Sequence, residues 1–559
     1  MTGAGFGALV TLFLLLVPVH GQSQQTELTT ADRLAILYAP QLDFTERGDP
    51  MIRVGLLEGR DRVFFTPSED IRVMPRGDQG AEVVLPGERR YTVSISDSRA
   101  GSYKHWVVVE ELTMSQRDRA DAIKKEWAER GYLPRAFQVG GLFGIRGKVF
   151  DSRVILIGVG GMSDHAKARK LRSKLEGKHG INARIHSELT DHPQGLLELT
   201  GKGVDVTIRH RDVMWIAGAE GDADDVVYEI EDVPKSYGKG TETRRYGGRL
   251  IFTTGRKGHV AAINKLSAER LLKGTVPSET YASAPKGALR AQAIAARNTI
   301  FAAIGVRNLA DPYMLRSDVY DQVYKGLDAE TKSTSKAVEA TRGEVMFHGN
   351  RIIEATYSAN AGGFTESNEN VWNAEPRPYL RGHPDAPEGE VPKRFRDGIS
   401  ESEVADFLES DFPAYSKSAP MGSSDLYRWE KTVDASEAID WLDEHGREID
   451  RIESAEVTSR GVSGRAIRLK VRGANGNSTY VERELNIRRL FGSLKSGLFT
   501  MSVDRRKDGT VSRFHFKGAG YGHGVGMCQT GAIGMAAKGI SYKRILTHYY
   551  RGIELRKLY

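Results

Sequence analysis

The amino-acid sequence predicts a multidomain, β-rich α+β protein, and three observations lead to that fold class. The chain has 559 residues, which gives room for about three or four domains of roughly 100 to 200 residues each. Its composition, 40% hydrophobic and 27% charged residues, excludes wholesale disorder. Segments that alternate apolar and polar residues are typical of strands, and one strand–helix–strand pattern occurs twice along the chain.

The charge balance and the cysteine content restrict the partners and the sources of stability. The chain carries 80 Lys and Arg against 73 Asp and Glu. This mild positive excess is compatible with an anionic polymer as partner, but it is too diffuse to indicate nucleic acid. A single cysteine, Cys528, excludes an internal disulfide. We therefore expect no nucleic-acid partner, and a fold that is stabilised by packing alone.

The chain begins with an apolar run from Ala8 to Val19, followed by small and polar residues. We interpret residues 1–21 as a signal peptide and residues 22–50 as a polar leader, which predicts export to the periplasm, the cell envelope or the medium. The run has about 12 residues where a membrane span needs roughly 20, so no stable span is expected. No Lys or Arg precedes the run, which leaves an uncleaved anchor as the alternative.

Two units follow the leader. Residues 51–103 alternate apolar and polar positions between Gly, Pro and Asp turns, which predicts an N-terminal β unit. Residues 104–199 consist of two similar halves, and each runs from a strand through Met-Ser into a helix and a second strand. This order predicts a ferredoxin-like βαββαβ domain. Its helices each have one apolar face, formed by Ala120, Ile123 and Trp127 in the first and by Ala168, Leu171 and Leu175 in the second.

The pattern of residues 104–199 resembles a SPOR domain, the bacterial module that binds peptidoglycan glycan strands stripped of their stem peptides. The resemblance implies glycan binding on the sheet face opposite the two helices. Two alternatives stay open. The Gly158–Gly161 segment follows a strand as a dinucleotide loop does, although Ser163 stands where the third glycine would fall. A ferredoxin-like fold can also serve purposes other than ligand binding.

The stretch from Gly274 to Asn298, GTVPSETYASAPKGALRAQAIAARN, is the most informative part of the chain. Ser283 as N-cap, Pro285 in the first turn and Gly305 at the end delimit a predicted helix. Apolar residues on one face predict that this helix is buried against a sheet, namely Leu289, Ala293, Ala296 and Ile300. Glu279 is expected in the loop that leads into the helix. An isolated acid in a loop is ordinarily only solvated.

Four motifs in order give that acid a context. They are VPSE with KGALRAQAIAARN (residues 276–298), YDQVYKG (320–326), ATYSANAGGFTESNENVW (355–372) and GYGHGVGMCQTGAIGMAAKG (520–539). Together they closely resemble the SpoIID/LytB family, named for stage II sporulation protein D. The resemblance implies a β-rich SpoIID-like catalytic domain over residues 200–559, with the 51–103 unit as its opening and the SPOR-like domain inserted between them.

The resemblance implies that Glu279 is the catalytic acid of a lytic transglycosylase, which cuts the β-1,4 bond between N-acetylmuramic acid and N-acetylglucosamine. Most glycosidases need two carboxyl groups. Here one Glu would protonate the glycosidic oxygen and then accept the proton of the sugar's own C6 hydroxyl, giving a 1,6-anhydromuramic end. The positive end of the following helix would lower the pKa of Glu279, so burial has to outweigh it if the group starts protonated.

Further residues of the motifs are candidates for substrate binding. Hydroxyl, amide, carboxylate and cationic side chains suit sugar recognition, and the Gly362–Gly363 bend would let the backbone approach a ligand. Glu366 is also the only rival acid that we weigh against Glu279, and a polar hairpin tip is the alternative for its segment. The candidates are Ser278, Arg290, Gln292, Arg297, Tyr357, Ser358, Asn360, Gly363, Thr365, Glu366, Tyr521, His523 and Gln529.

No metal and no cofactor is predicted. His523 and Cys528, with His515 and His548 as outer candidates, lack the paired spacing of a zinc site. Asp318, Tyr320 and Asp321 stand where some family members have His and Cys. Cys528 follows glycines and is expected to be buried packing, not a nucleophile. The predicted partner is a glycan strand denuded by an amidase. The alternative function is that of a non-catalytic amidase enhancer of the LytB type; the sequence indicates neither oligomeric state nor cellular process.

Overall fold

The computed structural model describes residues 37–39, 41–74, 82–145, 148–179, 181, 183–220, 226–236, 239–318, 321–372, 374–422 and 424–559. The predicted signal peptide, residues 1–21, and most of the polar leader lie outside the described residues. The fold is multidomain, β-rich and of the α+β class. Among the described residues, no helix combines the length and hydrophobicity needed to cross a membrane.

The predicted N-terminal β unit consists of strands in which buried apolar side chains alternate with more exposed ones. In the strand Tyr91–Arg99, for example, Tyr91 and Val93 are buried and the residues between and after them are more exposed. Its five strands are β1 (Met51–Arg60), β2 (Arg62–Pro67), β3 (Ile71–Met74), β4 (Val83–Leu85) and β5 (Tyr91–Arg99).

The inserted unit follows directly. It has one four-stranded antiparallel sheet, of order β11-β6-β10-β7, two helices and an additional hairpin, β8–β9. Its elements are β6 (Ser102–Thr113), a 3-10 helix (Met114–Arg119), α1 (Ala120–Glu129), β7 (Pro134–Val139), β8 (Leu142–Ile145), β9 (Lys148–Asp151), β10 (Val154–Met162), α2 (His165–His179) and β11 (Arg184–Asp191).

The apolar faces of the two helices cover one side of this sheet. Ile123, Trp127 and Leu175 pack with Val107 and Ile157 in one hydrophobic cluster, so the predicted faces of α1 and α2 are confirmed. The opposite sheet face was expected to be open for glycan. This face is instead largely buried. Its side chains Val108, Phe137, Val139, Val154 and Leu156 form a second cluster, and Leu309, which lies outside the insert, packs against it.

After the insert, the chain returns to the first unit. β12 pairs with β5, so the sheet of the insert ends at Asp191 and not at the expected boundary, residue 199. The strands of this part are β12 (Gln194–Gly201), β13 (Val204–Arg211), β14 (Val213–Gly218), β15 (Val227–Pro234), β16 (Thr241–Gly247), β17 (Arg249–Thr254) and β18 (Val260–Ser267).

A mainly helical region comes next and carries three of the four motifs. Its elements are α3 (Ala268–Glu279), α4 (Lys286–Ala303), β19 (Leu315–Arg316), a 3-10 helix (Gly326–Ala329), α5 (Lys332–Ala340), β20 (Glu344–His348), β21 (Arg351–Ile352), β22 (Tyr357–Ser358) and α6 (Asn368–Val371).

Strands from both sides of the insert share two sheets. A seven-stranded sheet has the order β19-β1-β18-β17-β14-β3-β4, and a six-stranded sheet has the order β13-β12-β5-β2-β15-β16. Their facing sides bury Phe65, Tyr228 and Phe252 in the largest hydrophobic cluster, which α3 and α4 also join. These strands, together with the helical region that follows them, form one folded body, the main body.

The part of the chain from residue 393 onwards contains the remaining helices and strands, and some of them form a further folded body. The elements of this part are 3-10 helices (Lys393–Phe395, Glu401–Glu403), α7 (Val404–Glu409), α8 (Ser424–Tyr427), β23 (Arg428–Asp434), α9 (Ala435–Glu444), β24 (Ile452–Arg460), β25 (Ala466–Gly473), β26 (Ser478–Glu482), α10 (Glu484–Leu490), β27 (Phe499–Arg505), β28 (Val511–Ala519), β29 (Met527–Cys528), α11 (Gln529–Ala537), α12 (Tyr542–Tyr549) and β30 (Glu554–Lys557).

Two three-stranded sheets, β23-β28-β27 and β24-β25-β26, enclose a hydrophobic cluster of their own with α9 and α10. The chain then returns to the main body, because β29 pairs with β22 in parallel and β30 pairs with β20. The expected 200–559 domain thus contains an additional unit between its third and fourth motifs.

The central helix α4 differs in two ways from its prediction. Pro285 is its N-cap, and Ser283 instead donates to the sulfur of Met421 at 3.6 Å. The helix is buried on nearly every side and not on one face, with α3, α5, α11, α12 and β20 around it. Its many alanines allow this, because small side chains let neighbouring elements approach from all directions.

Candidate active site

Glu279 is the last residue of α3, which continues through Pro277. It was expected in the loop that leads into α4, because a proline inside a helix removes a backbone donor and usually ends the helix. The correction matters for charge. The carboxyl group lies at the C-terminal, negative end of the α3 dipole, where ionisation is disfavoured. The C-terminus of α3 therefore opposes the effect that was expected from the N-terminus of the following helix.

The Glu279 carboxyl group is half-buried, and its Oε1 accepts a hydrogen bond from the Val323 backbone N–H at 3.2 Å. Burial raises the pKa of Glu279 above its ordinary value, and the Val323 N–H and the charge of Lys325 oppose that rise only in part. The neutral acid is thus more populated than in a free glutamate. This is the state that a proton donor needs.

Gln529 holds the backbone at the same point. Its Nε2 donates to the Glu279 carbonyl oxygen at 2.7 Å and to the Gln292 Oε1 at 3.2 Å. Gln529 is the first residue of α11, and Gln292 lies in the middle of α4. Residues from the first and the fourth motif therefore meet behind the Glu279 side chain and fix its position.

Glu279 opens into a cleft of about 530 Å³. Tyr357 and His523, both predicted as substrate-binding residues, also line it. Sequence reasoning did not assign the other lining residues to the site: Thr299, Arg307, Asp321, Gln322, Val323, Glu354, Thr356, Asn368, Trp372, Ala374, Arg377 and Leu380. Asp321, Gln322, Asn368 and Trp372 lie within quoted motifs and could have been found there, whereas Arg307, Glu354 and Arg377 lie in no motif.

The other two acids of the cleft are engaged in ion pairs. Arg307 binds Asp321 at 3.2 Å and also contacts Glu354. Asp321 accepts further bonds from the Asn308 side chain and the Arg316 backbone N–H, both at 2.8 Å. Asp318 pairs with Arg316 at 2.7 Å, and Tyr320 lies outside the described residues. Glu279 differs from these acids, because the hydrogen bond that its carboxyl group accepts comes from the Val323 backbone N–H and not from an arginine side chain.

His523 is held as a neutral ring beside an exposed indole. Its Nδ1 accepts the Val525 backbone N–H at 3.0 Å, which requires an unprotonated Nδ1. Burial and the charges of Arg465 and Arg488 lower the pKa of His523 to about 3. The ring lies 4.8 Å from that of Trp372, which is 37% exposed. The pair forms an aromatic wall on the cleft.

The glycines of the fourth motif let its loop pack on the third motif. Gly520, Gly522, Gly524 and Gly526 all have positive φ angles. A Cβ on Gly526 would lie 2.2 Å from the Thr356 carbonyl oxygen. The Gly362 bend, expected to admit a ligand, instead packs against the chain itself, since a Cβ there would lie 2.8 Å from the Gly520 nitrogen.

Comparison with known proteins identifies the matching families. Residues 256–348 match the family model described as Stage II sporulation protein, and residues 366–526 match a domain of unknown function, DUF8618. The chain is also similar to proteins named for sporulation and for amidase enhancement, as detailed below. Residues 256–348 therefore carry a domain of the stage II sporulation protein type, and the similarities support a relation of the chain to the SpoIID/LytB family.

Three relatives show the extent of the similarity. An uncharacterized protein of Brachyspira hyodysenteriae is 29% identical over 56% of this chain and 72% of its own length. The Stage II sporulation protein D of Bacillus subtilis is 26% identical over 53% of this chain and 76% of its own. The amidase enhancer of Bacillus subtilis is 28% identical over 51% of this chain, which spans only 40% of that relative.

Glu366 is buried inside the protein and does not line the cleft. It is 1% exposed. Its Oε1 accepts the Ser367 backbone N–H and the Asn370 Nδ2, both at 2.8 Å. Its Oε2 accepts the Ser463 hydroxyl at 2.5 Å and the Ser463 N–H at 3.2 Å. The candidate rival acid therefore ties the third motif to the loop before β25.

Most other predicted binding residues of the third motif also face inwards. Asn360 accepts the Gly362 N–H at 2.8 Å, and the Thr365 hydroxyl donates to the His383 carbonyl at 3.0 Å. Ser358 is buried, and a Cβ on Gly363 would lie 2.9 Å from the Phe412 ring. These residues shape the loops, and the structure does not bring them to the cleft.

The remaining predicted binding residues either make structural contacts within the protein or lie at its surface. Arg297 is fully buried and forms a two-pronged ion pair with Glu269 at 2.8 and 2.9 Å. The Ser278 hydroxyl donates to the Gly274 carbonyl within α3 at 2.9 Å. Arg290 lies 5.9 Å from the Tyr542 ring, and Tyr521 is 46% exposed. Gln292 acts through Gln529, as described above.

Cys528 has the environment of a structural thiol. Its sulfur accepts the backbone N–H groups of Ala361 and Gly531, both at 3.2 Å. Burial, together with the nearby charge of Asp385, raises its pKa well above the ordinary value, so the thiolate nucleophile is suppressed. Within the part of the chain that the structure describes, no group of three or more His, Cys, Asp or Glu side chains is arranged to hold a metal ion.

Proposed function

We propose that this protein is an exported peptidoglycan lytic transglycosylase with Glu279 as its general acid and base. The observation that carries the proposal is the Glu279 carboxyl group, half-buried at a cleft of about 530 Å³ with its pKa raised by burial. The cell-wall relation of its relatives, named for sporulation and for amidase enhancement, supports peptidoglycan as the substrate.

The chemistry needs one proton carrier. Neutral Glu279 donates its proton to the glycosidic oxygen between N-acetylmuramic acid and N-acetylglucosamine as the bond from C1 breaks. The carboxylate that remains accepts the proton of the muramic acid C6 hydroxyl while its oxygen bonds to C1. The products are a 1,6-anhydromuramic end and a free N-acetylglucosamine end, and Glu279 is again neutral. Water does not take part.

The cleft wall suits a sugar ring. Trp372 offers an exposed indole, and His523 packs behind it. Apolar C–H faces of sugars lie favourably on aromatic rings, whereas their hydroxyls need polar partners. Tyr357 and Gln322 contribute polar side chains to the same wall, whereas the Asn368 amide is already bonded to Glu375, Arg377 and Arg381. We assign Trp372 as the platform that orients the sugar next to Glu279.

The insert is proposed to be a SPOR-like ferredoxin domain that favours glycan denuded by an amidase. Its strand and helix order and the sheet order β11-β6-β10-β7 support this assignment. Leu309 covers part of the sheet face opposite the helices, so the assignment predicts contact with glycan at the exposed margins of that sheet, where Arg135 stacks on Trp106.

A second candidate function is that of a non-catalytic amidase enhancer, favoured by the name of one relative. Product analysis separates the two. Cell wall treated with an amidase is incubated with the purified protein, and the released fragments are analysed by mass spectrometry. We expect fragments that end in 1,6-anhydromuramic acid. Reducing ends would show hydrolysis by water, and no release beyond the amidase alone would favour the enhancer.

A further inference from the structure

A second cavity, of about 250 Å³, lies where the insert meets the main body. The insert contributes Glu111 from β6 and Phe143 from the β8–β9 hairpin to its wall. The main body contributes the turn after β20, including Asn350, and the segment that ends with Tyr379. Neither the motifs nor the family match of residues 256–348 accounts for this cavity, because seven of its twenty lining residues belong to the insert.

This junction cavity adjoins the Glu279 cleft. Glu354 and Arg377 line both spaces. The Arg377 guanidinium reaches across to Glu111 at 3.4 Å, and Arg184 holds the same Glu111 carboxylate at 2.6 Å. The two spaces therefore share a charged wall that runs from the insert to the active site.

The junction is a fixed part of the fold. Ile145 and Phe150, both from the β8–β9 hairpin of the insert, belong to the largest hydrophobic cluster of the main body. The Phe150 ring lies 5.5 Å from that of Phe347 on β20. Buried apolar contacts of this kind hold two units in one orientation. The insert thus presents its wall to the cleft in a constant position.

The lining of the junction has the mixed character of a sugar site. Phe143, Phe301 and Tyr379 provide aromatic surface, and Asn350, Arg351 and Glu111 provide polar groups. An amphipathic ring with several hydroxyls fits this combination better than an apolar ligand does. The shared wall of Glu354 and Arg377 favours the same polymer in both spaces.

We propose that the glycan strand bound at Glu279 continues past Arg377 and Glu354 into the junction cavity, where the insert supplies an additional saccharide subsite. The inference rests on the proposed function. It assigns the insert a role in holding the glycan strand that is being cut, in addition to binding glycan elsewhere in the cell wall. Longer strands gain contacts that short ones cannot reach, so affinity depends on chain length.

The test measures binding in the full chain with the Glu279→Gln substitution, by calorimetry, with a denuded tetrasaccharide and octasaccharide as probes. We expect the octasaccharide to bind at least tenfold more tightly. Asn350→Trp, which places an indole at the mouth of the junction cavity, should reduce octasaccharide affinity to that of the tetrasaccharide. Lys507→Trp adds the same side chain at an exposed turn between β27 and β28 and should leave both affinities within about twofold.

Phe143→Ala provides a second variant from the insert side, and it should weaken the octasaccharide at least threefold with little change for the tetrasaccharide. The inference is wrong if the octasaccharide binds no more tightly than the tetrasaccharide. It is also wrong if neither variant changes the difference between the two affinities. Failure of the proposed function is distinguishable: the unsubstituted protein then releases no 1,6-anhydro products. Cleavage without length dependence contradicts the junction subsite alone.

Discussion

The carboxyl groups of Glu279 and Glu366 have opposite surroundings, although each lies in a family motif. Glu279, at the end of α3, accepts a single backbone N–H and borders an open cleft. Glu366 is 1% exposed and accepts four hydrogen bonds. The difference shows that the Glu279 carboxyl group can still bind a substrate, whereas the Glu366 carboxyl group makes its hydrogen bonds within the protein.

The same substitution should therefore have different consequences at the two positions. Gln can keep the shape of either side chain, but it replaces one acceptor oxygen by an NH2 group. At Glu279 the remaining oxygen can still accept the Val323 N–H. At Glu366 both oxygens face donors, so the NH2 group must point at one of them. This asymmetry predicts a loss of activity at Glu279 and a loss of stability at Glu366.

Glu279→Gln should abolish cleavage of denuded glycan. Loss of a general acid costs about a hundredfold or more in turnover, while the single hydrogen bond and the fold are retained. Turnover is measured by release of 1,6-anhydro products, with glycan pull-down and thermal unfolding as controls for binding and folding. Activity above roughly a tenth of the unsubstituted protein contradicts the assignment of Glu279.

The pH profile should report the protonation of Glu279. Burial raises its pKa, and a general acid works only while protonated, so kcat/KM should fall as the pH rises through that raised value. The decline should approach about tenfold per pH unit on the alkaline side. Initial rates across the pH range measure it. A rate that rises with pH over the same interval would assign Glu279 to a base in the first step.

Trp372→Ala should weaken substrate capture more than chemistry. Removal of an aromatic platform costs about 1 to 2 kcal/mol of binding, which corresponds to a KM increase of roughly tenfold with kcat changed far less. Steady-state kinetics on soluble denuded glycan separates the two constants. Trp372→Phe keeps a ring and should recover most of the loss. An unchanged KM for the alanine variant removes Trp372 from the site.

Glu366→Gln should leave activity per folded molecule within about twofold and should instead lower stability. An NH2 group that faces the Ser463 or Ser367 donors leaves a buried donor unsatisfied, which costs about 1 to 3 kcal/mol. Denaturant unfolding measures the change in free energy, and active-site kinetics are corrected for the folded fraction. A loss of turnover as large as that of Glu279→Gln would restore Glu366 as a catalytic partner.

Local patterns predicted a good part of the fold. The apolar faces of α1 and α2 are confirmed because a helical period can be read from neighbouring residues alone. The end of α3 was predicted wrongly, since Pro277 reads as a helix breaker. The surrounding packing keeps Val276 and its neighbours helical and buried, and such tertiary support outweighs the local cost of a proline.

For the candidate site too, the sequence predicted some features, and only the structure revealed others. The motif residues Glu279, Tyr357 and His523 were found from the sequence, and all three line the cleft. Asn360, Thr365 and Glu366 have the same polar character in the sequence, and only their buried partners show that they stabilise loops. Polarity predicts that a side chain needs hydrogen bonds, but not whether the protein or a ligand supplies them.

By itself, the sequence determined the resemblance to SpoIID/LytB proteins, the strand and helix periods of the insert and the choice of Glu279 as the candidate acid, because each of these depends on residues close together in the chain. The tertiary structure alone decided that β12 returns to β5, that Arg307 pairs with the other cleft acids, and that the insert shares a wall with the active site. These features join residues far apart in sequence. Their contacts depend on how strands pair and surfaces close, which no local pattern encodes.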